Sequence, residues 1–404
     1  MTATCPSILT LNGGSSSIRF AHYRLGATLQ RQLSGKLDRI GLSSPRLSFS
    51  HADGVLQELD CSGATDFQTA IAALLAWFDT QKVFESITAI GHRIVHGMDH
   101  TAPEPITQDL MAQLQQLAWL DPDHLPGEIA LIEALRKRAP KLPQVACFDT
   151  AFHQHMPRVA SMMAIPRRFA AKGVRRYGFH GLSYAYLLEE LAGAVGKPAA
   201  NARVILAHLG NGASMAAVKD GLSIDTSMGF TPASGLVMGT RSGDIDPGLV
   251  AYLERSEQMT ATQFDAMVNH ESGLLGVSET SSDMGDLLAS EATDARAAEA
   301  VALFCYQAKK QIGAYAAALG GLDTLVFAGG IGENAAIVRA RICAGLDFLG
   351  IELDPAQNAA NAAVISSNAS QISVHVIRTD EQLMIARSVC RVLGYTSRTG
   401  ETLP

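Results

Sequence analysis

The residues in this sequence best suited to chemistry are those that would hold and neutralise anions. Gly210-Asn211-Gly212-Ala213-Ser214 puts two glycines and an asparagine into five positions. Such a turn tolerates positive φ, as a β-hairpin requires, and its bare backbone lets N–H groups reach an anion directly. A surface hairpin with no further role explains this turn, taken alone, about equally well. Arg241 shifts that balance. It stands on a glycine-dense segment (Gly235, Gly239, Gly243) that runs on into Asp244 and Asp246. A fixed cation on flexible backbone, with carboxylates close by, is what phosphoryl transfer needs.

Other stretches have similar chemistry. Asn12-Gly13-Gly14-Ser15-Ser16-Ser17 offers N–H and O–H donors to phosphate, although serine-rich turns are more often plain solvated loops. Arg93, in Gly91-His92-Arg93-Ile94-Val95-His96-Gly97, lies among apolar neighbours at a strand end. That placement is costly unless the guanidinium meets an anion, and a structural salt bridge or a ligand would serve equally. Asp149 ends a strand, at the edge where open α/β sheets place ligands. His180 is flanked by Arg175-Arg176, Gly178 and Gly181, which raises the chance of a chemical role without excluding a structural one. Gly329-Gly330-Ile331-Gly332-Glu333-Asn334 is a strand-to-helix turn suited to nucleotide contact. It lacks both the Lys-Ser/Thr of a P-loop and the dinucleotide spacing.

Elements must hold these residues in place. Apolar runs and alternation predict strands at 7–11, 18–23, 56–60, 87–95, 144–149, 204–209, 215–218, 324–328 and 374–377. Helical spacing predicts helices at 66–80, 107–119, 125–137, 246–256, 261–269 and 293–319. A further helix begins near Ser183 as N-cap, and a last one follows Thr379-Asp380-Glu381 and carries Met384, Ile385 and Val389. Two strand–glycine turn–strand units, about two hundred residues apart, suggest a duplicated architecture.

A chain of 404 residues is long enough for about two to three domains. With 47% hydrophobic and 18% charged residues it reads as a globular protein, and a net charge of −7 gives no footprint for nucleic acid or an anionic membrane. An anionic substrate must then be held by locally placed cations. No signal peptide or membrane span is read, and six cysteines without CxxC spacing are expected as buried free thiols in a cytoplasmic protein.

In this order and spacing, the motifs resemble the acetate kinase family of short-chain acyl phosphotransferases, from Ser7 almost to the last helix. The resemblance implies an α/β chain with the duplicated RNase H-like (actin-like ATPase) fold of the sugar kinase, Hsp70 and actin superfamily. Two mixed five-stranded sheets with helices would enclose an interdomain cleft. Residues 1–150, completed by a C-terminal helix at about 385–404, would form one domain, and residues 151–384 a nucleotide-binding and dimerisation domain. The implied activity is reversible phosphoryl transfer from ATP to acetate. Propionate or another short-chain acid is the alternative acceptor, and a non-catalytic nucleotide sensor is a remoter alternative. Mg2+ (with Mn2+ possible) as cofactor, a homodimer, and no nucleic-acid or membrane partner complete the expectation.

Residue by residue, the resemblance makes Asp149, His180 and Arg241 catalytic. Arg93 becomes substrate-binding, with Val95, Leu120, Phe179 and Pro232 lining the acyl pocket. Ser15, Ser17 and Arg19 fall in the first phosphate turn, and His208, Leu209, Gly210, Asn211 and Gly212 in the second. Asp283, Met284, Gly285, Gly330, Ile331, Gly332 and Asn334 lie on the nucleotide side, and Asn12 and Glu381 serve the metal. Four departures from the family pattern stand out. Arg19 replaces a Lys. The family's TNEE reads Thr379-Asp380-Glu381-Gln382, and Gly285 stands where an Arg packs on adenine. The family's LAPLH reads Leu117-Ala118-Trp119-Leu120-Asp121, so either His124 takes the place of the missing His or that role is absent.

Overall fold

The first glycine turn folds β1 (Ser7–Gly13) back onto β2 (Ser17–Arg24), with Gly14 N–H donating to the Ser17 carbonyl at 2.7 Å. The computed structural model describes residues 6–119 and 121–395. It divides the chain into two compact units, Met1–Ala151 with Asp380–Pro404, and Phe152–Thr379.

In the first unit the hairpin continues as an antiparallel meander through β3 (Gln30–Asp38), β4 (Arg46–His51) and β5 (Leu56–Asp60). On the other side β1 pairs in parallel with β6 (Ile87–Ile94), and β6 with β8 (Gln144–Phe148). The two-residue strand β7 (Glu104–Pro105) closes that edge. The sheet order is β5-β4-β3-β2-β1-β6-β8-β7. This sheet therefore has eight strands where five were expected. The extra strands are edge features: β4 and β5 extend the meander at one end and the two-residue β7 closes the other, and of these only β5 was expected, as the run 56–60. Gly35 helps the meander pack, since a Cβ on it would stand 2.5 Å from the Phe20 ring.

The core of this unit is built from apolar residues at helical spacing meeting alternating strand residues. Ile71, Leu74, Trp77 and Phe78 of the helix Phe67–Thr80 pack on Leu9, Leu11, Phe20, Leu33 and Phe49. Phe20 meets Phe78 edge-on at 5.0 Å, and Phe49 meets Trp77 at 4.7 Å. Each such burial is worth about 1.5–3 kcal/mol. Asp66 starts the helix with a capping box closed by Thr69. The helix Glu381–Leu393 lies on β6, where a Cβ at Gly91 would stand 2.5 Å from Ile385 Cγ2.

The second unit repeats the pattern. Its strands β9 (Val204–Leu209), β10 (Ala213–Lys219), β11 (Leu222–Thr226), β12 (Thr324–Ala328) and β13 (Ser373–Val376) have the order β11-β10-β9-β12-β13. β9–β10 and β10–β11 are antiparallel, β9–β12 and β12–β13 parallel. The first unit's β3-β2-β1-β6-β8 has the same order and the same senses, so the architecture is duplicated. Tyr184, Leu187 and Leu191 of the helix Gly181–Val195 pack on Val204, Leu206, Ala216, Val218 and Val326.

That helix starts at Gly181, not near Ser183. His180 is the N-cap residue and Ser183 lies inside the first turn, fully buried, with its hydroxyl bonded to His208 Nδ1 and Thr379 Oγ1 instead of capping. The described cysteines are free. Among the described residues, no helix is long and apolar enough to cross a membrane.

Candidate active site

In the second unit, strand pairing sets the site. β9 runs beside β12 with His208 level with Ala328, so the turn Gly210–Gly212 and the turn that starts at Gly329 emerge from adjacent strand ends. Gly212 is bare on the side where His180 and Arg241 stand: a Cβ there would lie 3.3 Å from His180 Nε2 and 3.7 Å from Arg241 Nη1. An imidazole and a guanidinium facing one glycine backbone is an arrangement suited to an anion. His180 itself holds a left-handed backbone (φ 61°), which costs about 1–2 kcal/mol in a residue with a Cβ. Its Nδ1 shares a 2.9 Å hydrogen bond with Ser214 Oγ, which is bonded in turn to the Tyr184 hydroxyl. His208 stacks on His180, and its Nδ1 meets Ser183 Oγ at 2.8 Å.

Close backbone approaches hold the Arg241 loop. Met238 N–H donates to the Arg241 carbonyl at 3.1 Å, and Gly239 N–H to the Asn211 carbonyl at 2.9 Å. Gly273, at φ 64°, leaves a gap where a Cβ would lie 2.2 Å from the Met238 carbonyl oxygen. Arg241 Nη1 reaches the Pro232 carbonyl at 3.5 Å. Asp244 and Asp246 turn out to serve the chain: they accept from Gly235 N–H at 2.8 Å and Gly248 N–H at 2.7 Å. The arginines before His180 are likewise structural. Arg176 donates to the carbonyls of Thr226, Ser227 and Met228, and Arg175 covers the Tyr177 ring.

The segment Gly329–Asn334 is itself a short helix. Gly329 must be glycine: at φ 76°, a Cβ would stand 2.6 Å from the Leu209 carbonyl oxygen. Gly330 has open space beside it. The Glu333 carboxylate accepts from Gly329 N–H and Thr379 N–H, both at 3.0 Å, and Thr379 Oγ1 meets Ser183 Oγ at 2.8 Å. Arg339 is fully buried and donates to the carbonyls of Gly332 and Glu333, with Asn358 and Asn361 as its other partners. Asn334 Nδ2 bonds back to the Gly330 carbonyl. Asp283 caps the helix Met284–Ser290 through Gly285 and Asp286 N–H, and Met284 is buried.

In the first unit Arg93 gathers the acids. Its Nε and Nη2 donate to Asp149 Oδ2 at 2.9 and 2.6 Å, and its Nη1 to the Gly13 carbonyl at 3.0 Å. Glu128 Oε1 is 3.4 Å from Nη1, and Glu128 Oε2 accepts from Val95 N–H at 3.0 Å. Burial opposes the charge on Arg93, but Asp149, Glu128 and Glu381 outweigh it and hold the guanidinium ionised. Burial, reinforced by Asp149, pushes the Glu381 carboxyl up against the pull of Arg93, Arg19 and Asn12, whose Nδ2 donates to Glu381 Oε2 at 2.7 Å. Arg19 sits opposite Asn12 in the β1–β2 register, which is how its charge reaches Glu381; Ser15 lies within the hairpin turn and Ser17 opens β2.

These residues fit a magnesium ion. Asp149 Oδ1 is buried with no hydrogen-bond partner, and Glu381 and the Asn12 amide oxygen add hard oxygen donors. Among the described residues no cluster of three or more His, Cys, Asp and Glu side chains forms a metal cage. Magnesium does not need one: it keeps several waters and takes one or two carboxylates with substrate phosphates.

Asp121 and His124 pair with each other. His124 Nδ1 and N–H both reach Asp121 Oδ1, at 2.8 and 3.2 Å. Burial pushes the Asp121 carboxyl up, but His124, with help from Arg93, outweighs it and holds the group below its ordinary range. Val95 and Phe179 are buried, Pro232 is half-buried, and Leu120 lies outside the described residues. Sequence reading missed Glu128, Ser183, Ser214, Thr379 and Arg339. Only Glu128, an acid inside the apolar helical run 125–137, left a signal that could have been followed.

The sequence pattern of the acetokinase family matches residues 7–387. An acetate kinase of Rhodopseudomonas palustris is 45% identical over 393 residues, covering 95% of this chain and 98% of that protein. The crystal structure of Porphyromonas gingivalis acetate kinase superposes with a TM-score of 0.86 at 36% identity, over 96% of this chain and all of that one. A propionate kinase from Francisella tularensis gives 0.87 at 38% identity, over 95% and 98%. The chain belongs to the acetokinase family.

Proposed function

We propose that this acetokinase-family enzyme transfers the terminal phosphoryl group of ATP reversibly to the carboxylate of acetate, giving acetyl phosphate and ADP. The observation that carries the reading is the bare backbone of Gly212 with His180 Nε2 and Arg241 Nη1 on its open side. A carboxylate acceptor has a pKa of about 4–5 and is already ionised near neutrality, so no general base is required. The barrier is repulsion between two anions, and fixed cations and N–H groups lower it.

The roles divide by unit. In the second, Arg241 and His180 receive charge on the phosphoryl oxygens, and the backbone at Asn211–Gly212 and Gly330–Asn334 holds the nucleotide. In the first, Arg93 and the apolar wall at Val95 receive the carboxylate. Asp149, Glu381 and Asn12 would hold a magnesium ion, with manganese as substitute, and the ion when bound shields phosphate charge. A homodimer formed through the Phe152–Thr379 unit and a cytoplasmic setting complete the proposal. Propionate is the second candidate acceptor, supported by the comparable match to a propionate kinase of known structure. Pocket size separates such acids by only about 1–3 kcal/mol per methylene.

Hydroxylamine trapping of acyl phosphate, with ATP, magnesium and a panel of C2–C4 acids, tests the reading. A signal highest in kcat/KM with acetate is expected. A signal highest with propionate selects the second acceptor, and none with any acid removes the kinase assignment.

A further inference from the structure

Glu128 is neither a phosphoryl, nucleotide nor metal contact in the reading above, yet its surroundings are specific. It comes from the helix Leu125–Arg138 and is 2% exposed. One carboxyl oxygen accepts from Val95 N–H at 3.0 Å and the other faces Arg93 Nη1 at 3.4 Å. Its Cγ lies 3.4 Å from where a Cβ on Gly13 would stand, and Gly13 is the residue whose carbonyl accepts from the same Nη1 at 3.0 Å. One buried side chain thus engages the backbone N–H of Val95 and the guanidinium of Arg93 and packs on the side of Gly13 that a Cβ would occupy.

A simple ion pair does not account for this. Arg93 already makes two short hydrogen bonds to Asp149, and its contact with Glu128 is the longest of the set. An apolar side chain would fill the same space without the cost of desolvating a carboxyl. The Val95 N–H, however, would then be left buried without an acceptor.

We propose that Glu128 is a positioning residue for the carboxylate acceptor: it fixes the Nη1 edge of Arg93 and the backbone at Val95, and so sets affinity for the acid rather than for the nucleotide. The inference rests on the acyl-kinase reading. Burial pushes the Glu128 carboxyl up to about 8, against the pull of Arg93 and Val95 N–H and with a further push from Asp121 and Asp149.

The test uses the full-length enzyme with Glu128→Ala and Glu128→Gln. In Glu128→Ala the KM for acetate should rise about 10-fold or more, the scale of one unpaired buried donor, while the KM for ATP stays within about 2-fold. Glu128→Gln still accepts from Val95 N–H but turns an NH2 donor toward Arg93 Nη1, so its acetate KM should rise by clearly less than that of the alanine variant while the KM for ATP stays within about 2-fold. If circular dichroism shows the alanine variant unfolded, Glu128→Met fills the volume and takes its place with the same expected split. Acetate KM unchanged, both KM values rising together, or glutamine failing as badly as alanine each overturns the proposal. Wild-type hydroxamate formation is measured first. Its absence sinks the kinase reading and the inference with it, whereas a wild-type signal with unsplit KM values sinks the inference alone.

Discussion

His180 and His208 lie ring on ring, 4.3 Å between centroids and 25° from parallel. Buried serines engage both Nδ1 atoms, Ser214 for His180 and Ser183 for His208. The orientation of each imidazole is therefore set by a group that no bound anion would touch.

Removing either part of this device should have separable effects. His180→Ala is expected to lower kcat by about 10²–10³, the scale for one lost transition-state donor. Ser214→Ala should lower it less, by about 10-fold, and should add almost nothing in the His180→Ala background, because both changes act through one ring. Additive losses in the double variant would show that Ser214 acts independently of His180.

Arg241→Lys keeps the charge and loses the planar fork. The Arg241 loop is pinned by Gly239 and Gly273 and cannot follow a shorter head group. A fall in kcat of about 10²–10³ is expected, with the thermal midpoint within a few degrees of wild type. Near-full activity would mean that a point charge suffices.

Glu128 gives a pH prediction with a definite sign. Its carboxyl moves from 4.5 to about 8 on folding, so between those values the folded chain holds a proton that the unfolded chain has released. The stability from this proton is complete below the unfolded value and is lost as pH rises through the folded one. Glu128→Gln has no such window. Thermal midpoints measured from about pH 5 to 8.5 should therefore show wild type losing ground steadily against the glutamine variant. A difference that stays flat across the range would mean the group is ionised throughout.

Among the described residues, Arg339 bonds to carbonyl and amide oxygens around the turn Gly329–Asn334 and the helix that follows Asp354. Arg339→Met should cost about 3 kcal/mol or more in chemical denaturation, since several buried acceptors lose their donor. In protein that still folds, the KM for ATP should rise more than the KM for acetate.

Sequence reading reached the elements with strong periodicity and the glycines with a backbone reason. Gly91, Gly212 and Gly329 are bare because something approaches them, and that constraint is visible in residue type. It did not reach the strands β3, β4 and β11, whose polar edges blur the alternation. Nor did it find the serines behind the histidines. Ser183 and Ser214 become partners only when the fold brings residues 25 and 34 positions distant against them. Asp244 and Asp246 mark the opposite error: beside Arg241 in sequence, they spend their oxygens on local turns.

The last described helix carries a consequence for biosynthesis. Ile385 and Val389 cover the β6 strip at Gly91, yet all of Phe152–Thr379 must leave the ribosome before they do. At about 5–20 residues per second, that interval is roughly ten seconds or more. Through it the nascent first sheet shows an uncovered apolar strip. Chaperone capture on stalled chains should therefore peak before residue 381 emerges and fall once the helix has docked.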